Sequence, residues 1–456
     1  MKWPTRCNSL KLGNNGDPLK AMAAVCYFIK WLRDVAAAVT VTYALDNRAW
    51  PLNTAPAWTR ERSSHSGEDG MRSGKTALAL ITASFIALTG SACYAEIAVS
   101  ANDGKMILEN GVATVRKEPL PDTVSIIELS GASPRVIAEL PAPASVVGPP
   151  SSVAIAPDES FALVTGAMKV DPADPTKAIP DDKLTVIDLK SSPPKILATL
   201  QAGAGAAGVS INRAATLALV ANRSEGTVSV FTISGNALTP AGKIALGDAK
   251  SGPSHPMFSR DGATALVTRD GDSRISILSI DGTKVEYTKR DLFSAVRPYQ
   301  IDSTGNGEVA LVGNVGMSGG DADTISLIDM RAKPIRVATT ISVGQTPEAL
   351  KMSPDGAYVA VNVVNGSNKA KTSPFFNDYG LLKIYRITGT DLTPVTEAKI
   401  GHWCQGIVWS KDSKAVLVQC MVENEITPFT FDGKTLTKTA PIAMKVSPAG
   451  IRTAEP

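Results

Sequence analysis

The sequence contains few of the residues by which catalytic and metal sites are usually recognised. Its 456 residues include three histidines and five cysteines, and no nucleophile elbow, phosphate-binding loop or zinc motif is visible. Long segments with the period of an amphipathic helix are also missing after Glu96. These absences argue against the commonest hydrolase, nucleotide-binding and zinc-protein classes. With 44% hydrophobic and 20% charged residues, the chain suits one large or two ordinary globular domains.

The first hundred residues do not have the pattern of one folded unit. From Met71 a basic start (MRSGK) precedes an apolar core (ALALITASFIALTG) and a small-residue exit (SACYA), which is the layout of a secretory signal peptide. We therefore expect cleavage after Ala95. Residues 1–70 are then an upstream extension of doubtful reality, residues 71–95 the signal peptide, and residues 96–456 the folded protein, which we expect to be periplasmic or secreted.

No membrane span is predicted in the mature chain or in the upstream extension. Within residues 22–45, the charged residues Lys30, Arg33 and Asp34 interrupt the apolar sequence before it reaches the roughly 20 continuous residues that a spanning helix needs. Without residues 1–95 the formal charge is −2, so the sequence offers no sustained basic surface and no nucleic-acid binding is expected.

Short apolar runs divided by Gly, Pro, Asn and Asp follow Glu96, a pattern typical of an all-β protein. A unit of strand, Asp-bearing turn, strand, loop and two more strands recurs, as in GPSHPMFSRDGATALVTRD (252–270) and QTPEALKMSPDGAYVAVNV (345–363). Seven third strands occur at a spacing of roughly 40 to 60 residues, which four-stranded propeller blades require. We therefore predict a seven-bladed β-propeller. Blade 1 lacks an innermost strand, and the C-terminal PAGIRTAE (448–455) is expected to supply it and close the ring.

The repeats also carry a family resemblance. LVAN (219–222), SEGTVSVF (224–231), DTISLIDM (323–330) and SPDG (353–356) resemble the YVTN-repeat propellers of the seven-bladed, lactonase-like superfamily, of an exported bacterial type. The resemblance covers residues 96–456. It is specific for the fold and implies little about function.

The two cysteines that remain after residue 95 are predicted to form a disulfide. Cys404 lies in an innermost strand and Cys420 in the second strand of the same blade, and if Trp409 pairs with Ala415 the cysteines face each other. An exported protein folds in an oxidising compartment, which favours a bond over metal ligands or a redox couple.

Alternating strand direction separates two faces of the propeller. The turns between first and second strands are short, and we call their side the short-turn face. Connections between second and third strands and between blades lie on the other side, the loop-rich face. The long insertions collect there, at 109–121, 170–182, 315–323 and 365–380. A rigid scaffold with one elaborated rim usually carries a binding site there.

Polar residues are predicted to surround the channel mouth on the loop-rich face. They are His255, Arg297, Tyr299, Glu348, His402 and Trp403 at the starts of innermost strands, and Asn222, Arg223, Arg269 and Asn365 at the ends of second strands. Arginines beside a Glu and a His could bind an anion or polarise a lactone carbonyl, with Arg297 as electrostatic stabiliser and His402 or Glu348 as general base. The sequence favours the simpler interpretation, in which these residues solvate the mouth and pair with one another.

Two functions therefore stay open. The first, which the sequence favours, is an exported binding module for a small anionic ligand or a protein partner. The second is a lactonase-like hydrolase or cyclase acting on a small anionic lactone. No cofactor is predicted, and a monomer is expected. The carboxylates of residues 170–182, together with Asp270, Asp272, Asp321 and Asp323, could hold calcium, but their spacing lacks a defined ligand loop, so no metal site is predicted.

Overall fold

The fold is that of a computed structural model, which describes residues 96–129 and 133–455. The predicted upstream extension, signal peptide and cleavage site lie outside these residues. The described residues form β-strands joined by turns, with one 3₁₀ turn at Ala249–Ser251. None of them belongs to a helix of the length and apolar character that crossing a membrane requires.

The strands of the first four blades follow one another along the chain, except that blade 1 contains an extra hairpin and takes its innermost strand from the C-terminus. They are β1 Ile97–Asp103, β2 Met106–Glu109, β3 Val112–Val115, β4 Thr123–Glu128, β5 Arg135–Pro141, β6 Val153–Ile155, β7 Phe161–Val170, β8 Ala178–Asp188, β9 Lys195–Gln201, β10 Ala206–Ile211, β11 Leu217–Asn222, β12 Thr227–Ser234, β13 Ala237–Ala245, β14 Pro253–Phe258, β15 Thr264–Arg269, β16 Arg274–Asp281 and β17 Lys284–Leu292.

The last three blades and the closing strand complete the ring. Their strands are β18 Pro298–Ser303, β19 Val309–Asn314, β20 Asp323–Asp329, β21 Arg336–Gly344, β22 Pro347–Met352, β23 Tyr358–Val363, β24 Gly380–Thr388, β25 Asp391–Ile400, β26 Cys404–Trp409, β27 Ala415–Cys420, β28 Glu425–Phe431, β29 Leu436–Lys438, β30 Ile442–Ala443 and β31 Ser447–Thr453.

These strands form seven antiparallel blades. The orders are β31-β1-β4-β5, β6-β7-β8-β9, β10-β11-β12-β13, β14-β15-β16-β17, β18-β19-β20-β21, β22-β23-β24-β25 and β26-β27-β28-β29, and β30 pairs with β28 in blade 7. The predicted all-β, seven-bladed propeller of four-stranded blades is confirmed.

The C-terminal strand closes the ring. β31 runs antiparallel to β1, with Thr453 opposite Ala98 and Ser447 opposite Asp103. It is the innermost strand of blade 1, as predicted, so the edge of β1 that faces the channel is paired rather than exposed.

Five of the seven innermost strands share an irregularity near their first residue. A register shift lies between Ala206 and Val209, Pro253 and Pro256, Pro298 and Ile301, Pro347 and Ala349, and Cys404 and Ile407. A β-bulge of this kind inserts an extra residue and redirects the neighbouring side chains. Here it lies where the strands reach the channel mouth.

The bulge in blade 7 corrects one prediction. Trp409 pairs with Val416 rather than Ala415, whereas Cys404 does lie opposite Cys420. The predicted register at the turn was therefore wrong by one residue, because a pattern of alternating side chains does not reveal an inserted residue. The bulge restores the alignment of the cysteines.

Apolar side chains between neighbouring blades form the core. Trp409 in β26 is 1% exposed. Its ring packs edge to face on that of Phe431, with 5.7 Å between the ring centroids, and the centroids of Phe431 and Tyr358 of blade 6 are 5.0 Å apart. The indole Nε1 of Trp409 donates to the Lys351 carbonyl at 2.9 Å. One side chain thus joins blades 6 and 7, and its replacement by alanine would cost about 3–5 kcal/mol.

The predicted insertions have different structures. Residues 109–121 contain β3, which pairs with β2 in the extra hairpin of blade 1, and residues 170–182 lengthen β7 and β8. Residues 315–323 and 365–380 connect second to third strands in blades 5 and 6. The strand order places all four on the loop-rich face.

Candidate functional site

Four neighbouring innermost strands present a polar residue directly after their first residue. These residues are Ser254 in β14, Tyr299 in β18, Glu348 in β22 and Gln405 in β26. Each lies within the bulge of its strand, where the strand reaches the channel mouth. The candidate site is built around these residues.

A buried carboxylate holds two arginines together at this mouth. Asp270 Oδ2 accepts from Arg223 Nη2 at 2.7 Å and from Arg297 Nη2 at 3.1 Å, and its Oδ1 accepts from Ser254 Oγ at 2.9 Å. The Asp270 side chain is 2% exposed, whereas the two arginines are 27% and 33% exposed. Two guanidinium groups that share one carboxylate leave a net positive charge at a partly open position, which suits an anion.

Glu348 is a buried carboxyl group beside this pair. Gln405 Nε2 donates to its Oε1 at 3.3 Å, and the Trp403 side chain donates a second hydrogen bond. Burial raises the pKa of Glu348 to about 7, although these hydrogen bonds and the charges of Arg297 and Arg223 act in the opposite direction. Near neutral pH this group can therefore both accept and donate a proton.

Tyr299 is buried beside Arg223 at this mouth. The Arg223 guanidinium lies 5.5 Å from the centroid of its ring. Burial raises the pKa of Tyr299, which keeps its hydroxyl protonated, although the Arg223 charge acts in the opposite direction. The ring supplies a cation–π contact and leaves the charge balance of the mouth unchanged.

The backbone fixes Arg297 in an uncommon conformation. Its φ is 57°, a value that side-chain-bearing residues rarely adopt and that costs on the order of 1 kcal/mol. Its N–H donates to Ser273 Oγ at 3.1 Å, its carbonyl accepts from the Val315 N–H at 3.0 Å, and its Nη1 donates to the Gly316 carbonyl at 3.3 Å. These contacts direct the guanidinium across the mouth.

Two predicted ligand-binding residues make their contacts inside their own blades. The Asn222 side chain donates to Thr227 and Ser229, both at 2.9 Å. Arg269 donates to Asp272 and to Ser276, at 3.1 Å in both cases. These hydrogen bonds tie a second strand to the third strand of the same blade. The predicted mouth residue Asn365 likewise donates to the Tyr379 carbonyl at 3.1 Å, within its loop.

His255 lies further along the channel than the sequence suggested. Its Nδ1 accepts from the Ile301 N–H at 3.2 Å, and its ring lines a cavity at the short-turn end. Burial, together with the charges of Arg452 and Lys351, lowers the pKa of His255 well below its ordinary value. The ring is therefore neutral at physiological pH.

His402 forms a separate group on the rim. Its Nδ1 lies 2.6 Å from Glu423 Oε1, and its Nε2 lies 3.1 Å from Asp378 Oδ1. Burial alone would lower the pKa of His402, but the hydrogen bonds to these carboxylates outweigh it and raise the pKa. Both ring nitrogens are engaged, so His402 is poorly placed to act as the general base.

Of the predicted residues, the structure thus brings together Arg223, Arg297, Tyr299, Glu348 and Trp403. Sequence reasoning missed the roles of Asp270, Ser254 and Gln405. The repeat itself contains a signal for the last two, because they occupy the same strand position as Tyr299 and Glu348. The contact of Asp270 with Arg223 and Arg297 joins three blades, so a single repeat contains no signal for it.

Three of the aspartates considered for calcium have other partners. Asp270 binds arginines, Asp272 pairs with Arg269, and Asp323 accepts from the Thr346 N–H at 2.8 Å. Within residues 96–129 and 133–455, no three His, Cys, Asp or Glu side chains form a group that could hold a metal ion.

A disulfide joins Cys404 and Cys420, 16 residues apart. It stands between the first and second strands of blade 7, directly beside Gln405. The predicted pairing is present in the structure.

Comparison with known proteins agrees with this architecture. A family model described as "Lactonase, 7-bladed beta-propeller" matches residues 225–372. The chain has the lactonase-like propeller fold. No curated protein matches it significantly.

Several solved structures share the fold. A protein from Bacteroides fragilis described as a putative 6-phosphogluconolactonase has a TM-score of 0.60 at 16% identity, over 80% of this chain and 99% of that one. The periplasmic gluconolactonase of Pseudomonas aeruginosa has a TM-score of 0.57 at 15% identity, over 79% and 100%. A protein of unknown function from Desulfotomaculum acetoxidans has a TM-score of 0.59 at 15% identity, over 79% and 99%. At such identities the similarity shows the fold alone, so the YVTN-repeat label stays a prediction.

Proposed function

We propose that this protein binds a small anionic lactone at the loop-rich mouth of its channel and hydrolyses it. The observation that carries the proposal is the arrangement of Glu348, with a pKa of about 7, beside two guanidinium groups that share Asp270. A proton acceptor and a positive site for an anion are the two parts that lactone hydrolysis needs. The lactonase-like fold and the gluconolactonase neighbours support the proposal at the level of the family.

The proposed reaction adds water to the lactone. Ionised Glu348 accepts a proton as the water oxygen attacks the carbonyl carbon, and Arg223 and Arg297 stabilise the negative charge that develops on the carbonyl oxygen. Glu348 then returns the proton to the ring oxygen as the carbon–oxygen bond breaks. The product is the open hydroxy acid, and the enzyme regains its starting state.

The test measures hydrolysis of glucono-1,5-lactone and of its 6-phosphate with purified residues 96–456. Glu348→Gln should lower kcat by roughly 10²- to 10⁴-fold, the usual contribution of a general base. Arg297→Ala should weaken use of the phosphorylated lactone more than that of the neutral one, because it removes positive charge.

Two controls accompany these variants. Arg274→Ala removes an exposed arginine from the same face and should behave as wild type. His402→Ala should keep most of the turnover, because both ring nitrogens already bind carboxylates. Undiminished turnover in Glu348→Gln, or loss of turnover only in His402→Ala, would refute the assignment of the base.

The pH dependence gives a further test of the same proposal. Because Glu348 must be ionised to accept a proton, kcat/KM should rise with pH, pass its half-maximal value near pH 7 and reach a plateau above about pH 8. Wild-type protein that binds the lactones without turnover would instead favour the binding module that the sequence suggested.

We also propose that the protein is exported and begins at Glu96. The disulfide between Cys404 and Cys420 supports this, since such bonds persist in oxidising compartments. N-terminal sequencing of native protein tests the proposal, and a mature chain that retains residues 1–70 would contradict it.

A further inference from the structure

The channel contains a second polar group at the opposite end from Glu348. A cavity of about 110 Å³ lies where the innermost strands reach the short-turn face. Its lining includes the charged residues Asp302, Lys351, Arg452 and Glu455 and the neutral ring of His255. None of them contributes to the contacts described at the loop-rich mouth.

Two carboxylates in this cavity already have cationic partners. Lys351 Nζ donates to Asp302 Oδ1 at 2.9 Å and to Glu455 Oε1 at 2.7 Å. The other oxygen of Asp302 accepts from the Met352 N–H at 2.8 Å. The charge of Lys351 is therefore compensated by these two carboxylates.

Arg452 is only partly satisfied. It is 3% exposed, its Nη1 donates to the Ile451 carbonyl at 3.3 Å, and its Nη2 has no hydrogen-bond partner among the described residues. A buried guanidinium with an unpartnered N–H group is costly unless an acceptor is supplied. Burial also lowers the pKa of Arg452, although Asp302 and Glu455 act in the opposite direction.

His255 adds a second donor to the cavity. Because its Nδ1 accepts the Ile301 N–H, the neutral ring carries its proton on Nε2. Arg213 and Arg260, exposed on neighbouring turns of the short-turn face, also line the cavity. The cavity is thus lined by four positively charged side chains and two carboxylates. The excess of positive charge attracts anions to this end of the channel.

Apolar side chains form another part of the wall. Met257 and Phe258 line the cavity from β14, and both are buried. A doubly charged anion such as phosphate would be repelled by Asp302 and Glu455 and would gain little from these surfaces. A singly charged carboxylate with a short apolar chain matches both the donors and the wall.

We propose that this cavity is a second ligand site, which binds a small organic monocarboxylate through Arg452 and His255, with its apolar chain against Met257 and Phe258. The site is separate from the loop-rich mouth and does not depend on the lactone proposal.

Isothermal titration calorimetry with butyrate, acetate and inorganic phosphate on residues 96–456 tests the affinity. Butyrate should bind most tightly, because its chain is long enough to reach the apolar wall, and phosphate most weakly. Arg452→Gln should weaken butyrate binding at least tenfold, whereas Arg274→Ala, at the other face, should leave it unchanged. Tighter binding of phosphate than of butyrate would overturn the proposed ligand class.

A second variant and a crystal provide an independent test, since Arg452 lies in the closing strand and its replacement could prevent folding. Arg260→Glu reverses an exposed charge at the edge of the cavity without changing the core, so it should weaken butyrate binding. In crystals soaked with 3-bromopropionate, the anomalous signal of bromine should lie beside Met257 and Phe258. A bromine signal only at the loop-rich mouth, or butyrate binding that Arg260→Glu leaves unchanged, would refute the site.

Discussion

At the scale of single residues, Glu348 links the stability of the protein to its proposed chemistry. Its side chain is 8% exposed and receives hydrogen bonds from Gln405 and Trp403. The same burial that brings the pKa to about 7 disfavours the ionised form that would accept a proton. A group of this kind is tuned for proton transfer at the expense of stability above neutral pH.

Glu348→Gln should therefore be more stable than the wild type at pH 8. In the folded protein the pKa of Glu348 is raised above its unfolded value, so the stability that the protonated group contributes is fully present below about pH 4.5 and is lost as the pH rises through about 7. The shift corresponds to at most about 3 kcal/mol at pH 8, and the difference between wild type and variant should vanish near pH 4.5.

Urea unfolding of both proteins at pH 4.5 and pH 8 provides the measurement. Glu308→Gln changes a half-exposed carboxylate on the short-turn face and serves as the matched control, with no comparable pH-dependent gain. A constant difference between wild type and Glu348→Gln across this range would show that the raised pKa is wrong.

At the scale of single elements, the hairpin of β26 and β27 combines three features. It carries the disulfide, the bulge after Cys404, and Gln405, which donates to Glu348. The Asn362 side chain of blade 6 also donates to the Gln405 carbonyl at 2.8 Å. The disulfide therefore stabilises blade 7 and also holds Gln405, a hydrogen-bond donor to Glu348, in position.

Replacing both cysteines by alanine should lower the free energy of unfolding by about 3 kcal/mol or less. A cross-link between residues 16 apart removes roughly that much loop entropy from the unfolded chain, and less if the hairpin persists when unfolded. Urea unfolding compares the two proteins, and a reductant should affect only the wild type. Mass spectrometry that finds Cys404 and Cys420 as free thiols in the native protein would contradict the bond.

At the scale of the whole molecule, one strand holds the ring closed. β31 pairs with β1 and packs between blades 2 and 7, and it carries Arg452 into the channel. Its side chains are buried from Ser447 to Thr453. The ring is therefore held by contacts between residues that lie about 350 positions apart in the chain.

Removal of residues 446–456 should destabilise the protein far out of proportion to the length removed. The deletion exposes the inner edge of β1 and opens the apolar contacts of two blades. Thermal unfolding followed by circular dichroism should show a lower and broader transition. A synthetic peptide of residues 444–456 should restore part of the loss, whereas a scrambled peptide should not. A truncated protein that unfolds like the full chain would contradict closure by β31.

The sequence by itself determined the repeat, and with it the blade number, the closing strand and the facing cysteines. Each depends on local patterns of alternating side chains and turns, which every blade repeats. The pairing of Trp409 was wrong by one residue, because a bulge leaves no mark in such a pattern.

The composition of the candidate site was decided only by the tertiary structure. The sequence placed His255, Glu348 and His402 at equivalent strand starts. In the structure His255 lies at the short-turn end of the channel and Glu348 lies beside Arg223. His402 lies between two carboxylates on the rim. Which side chains meet depends on the bulges and on contacts between different blades. The sequence of one blade contains no information about which side chains of the neighbouring blades it will contact. The raised pKa of Glu348 and the unpartnered Nη2 of Arg452 could therefore be found only in the folded ring.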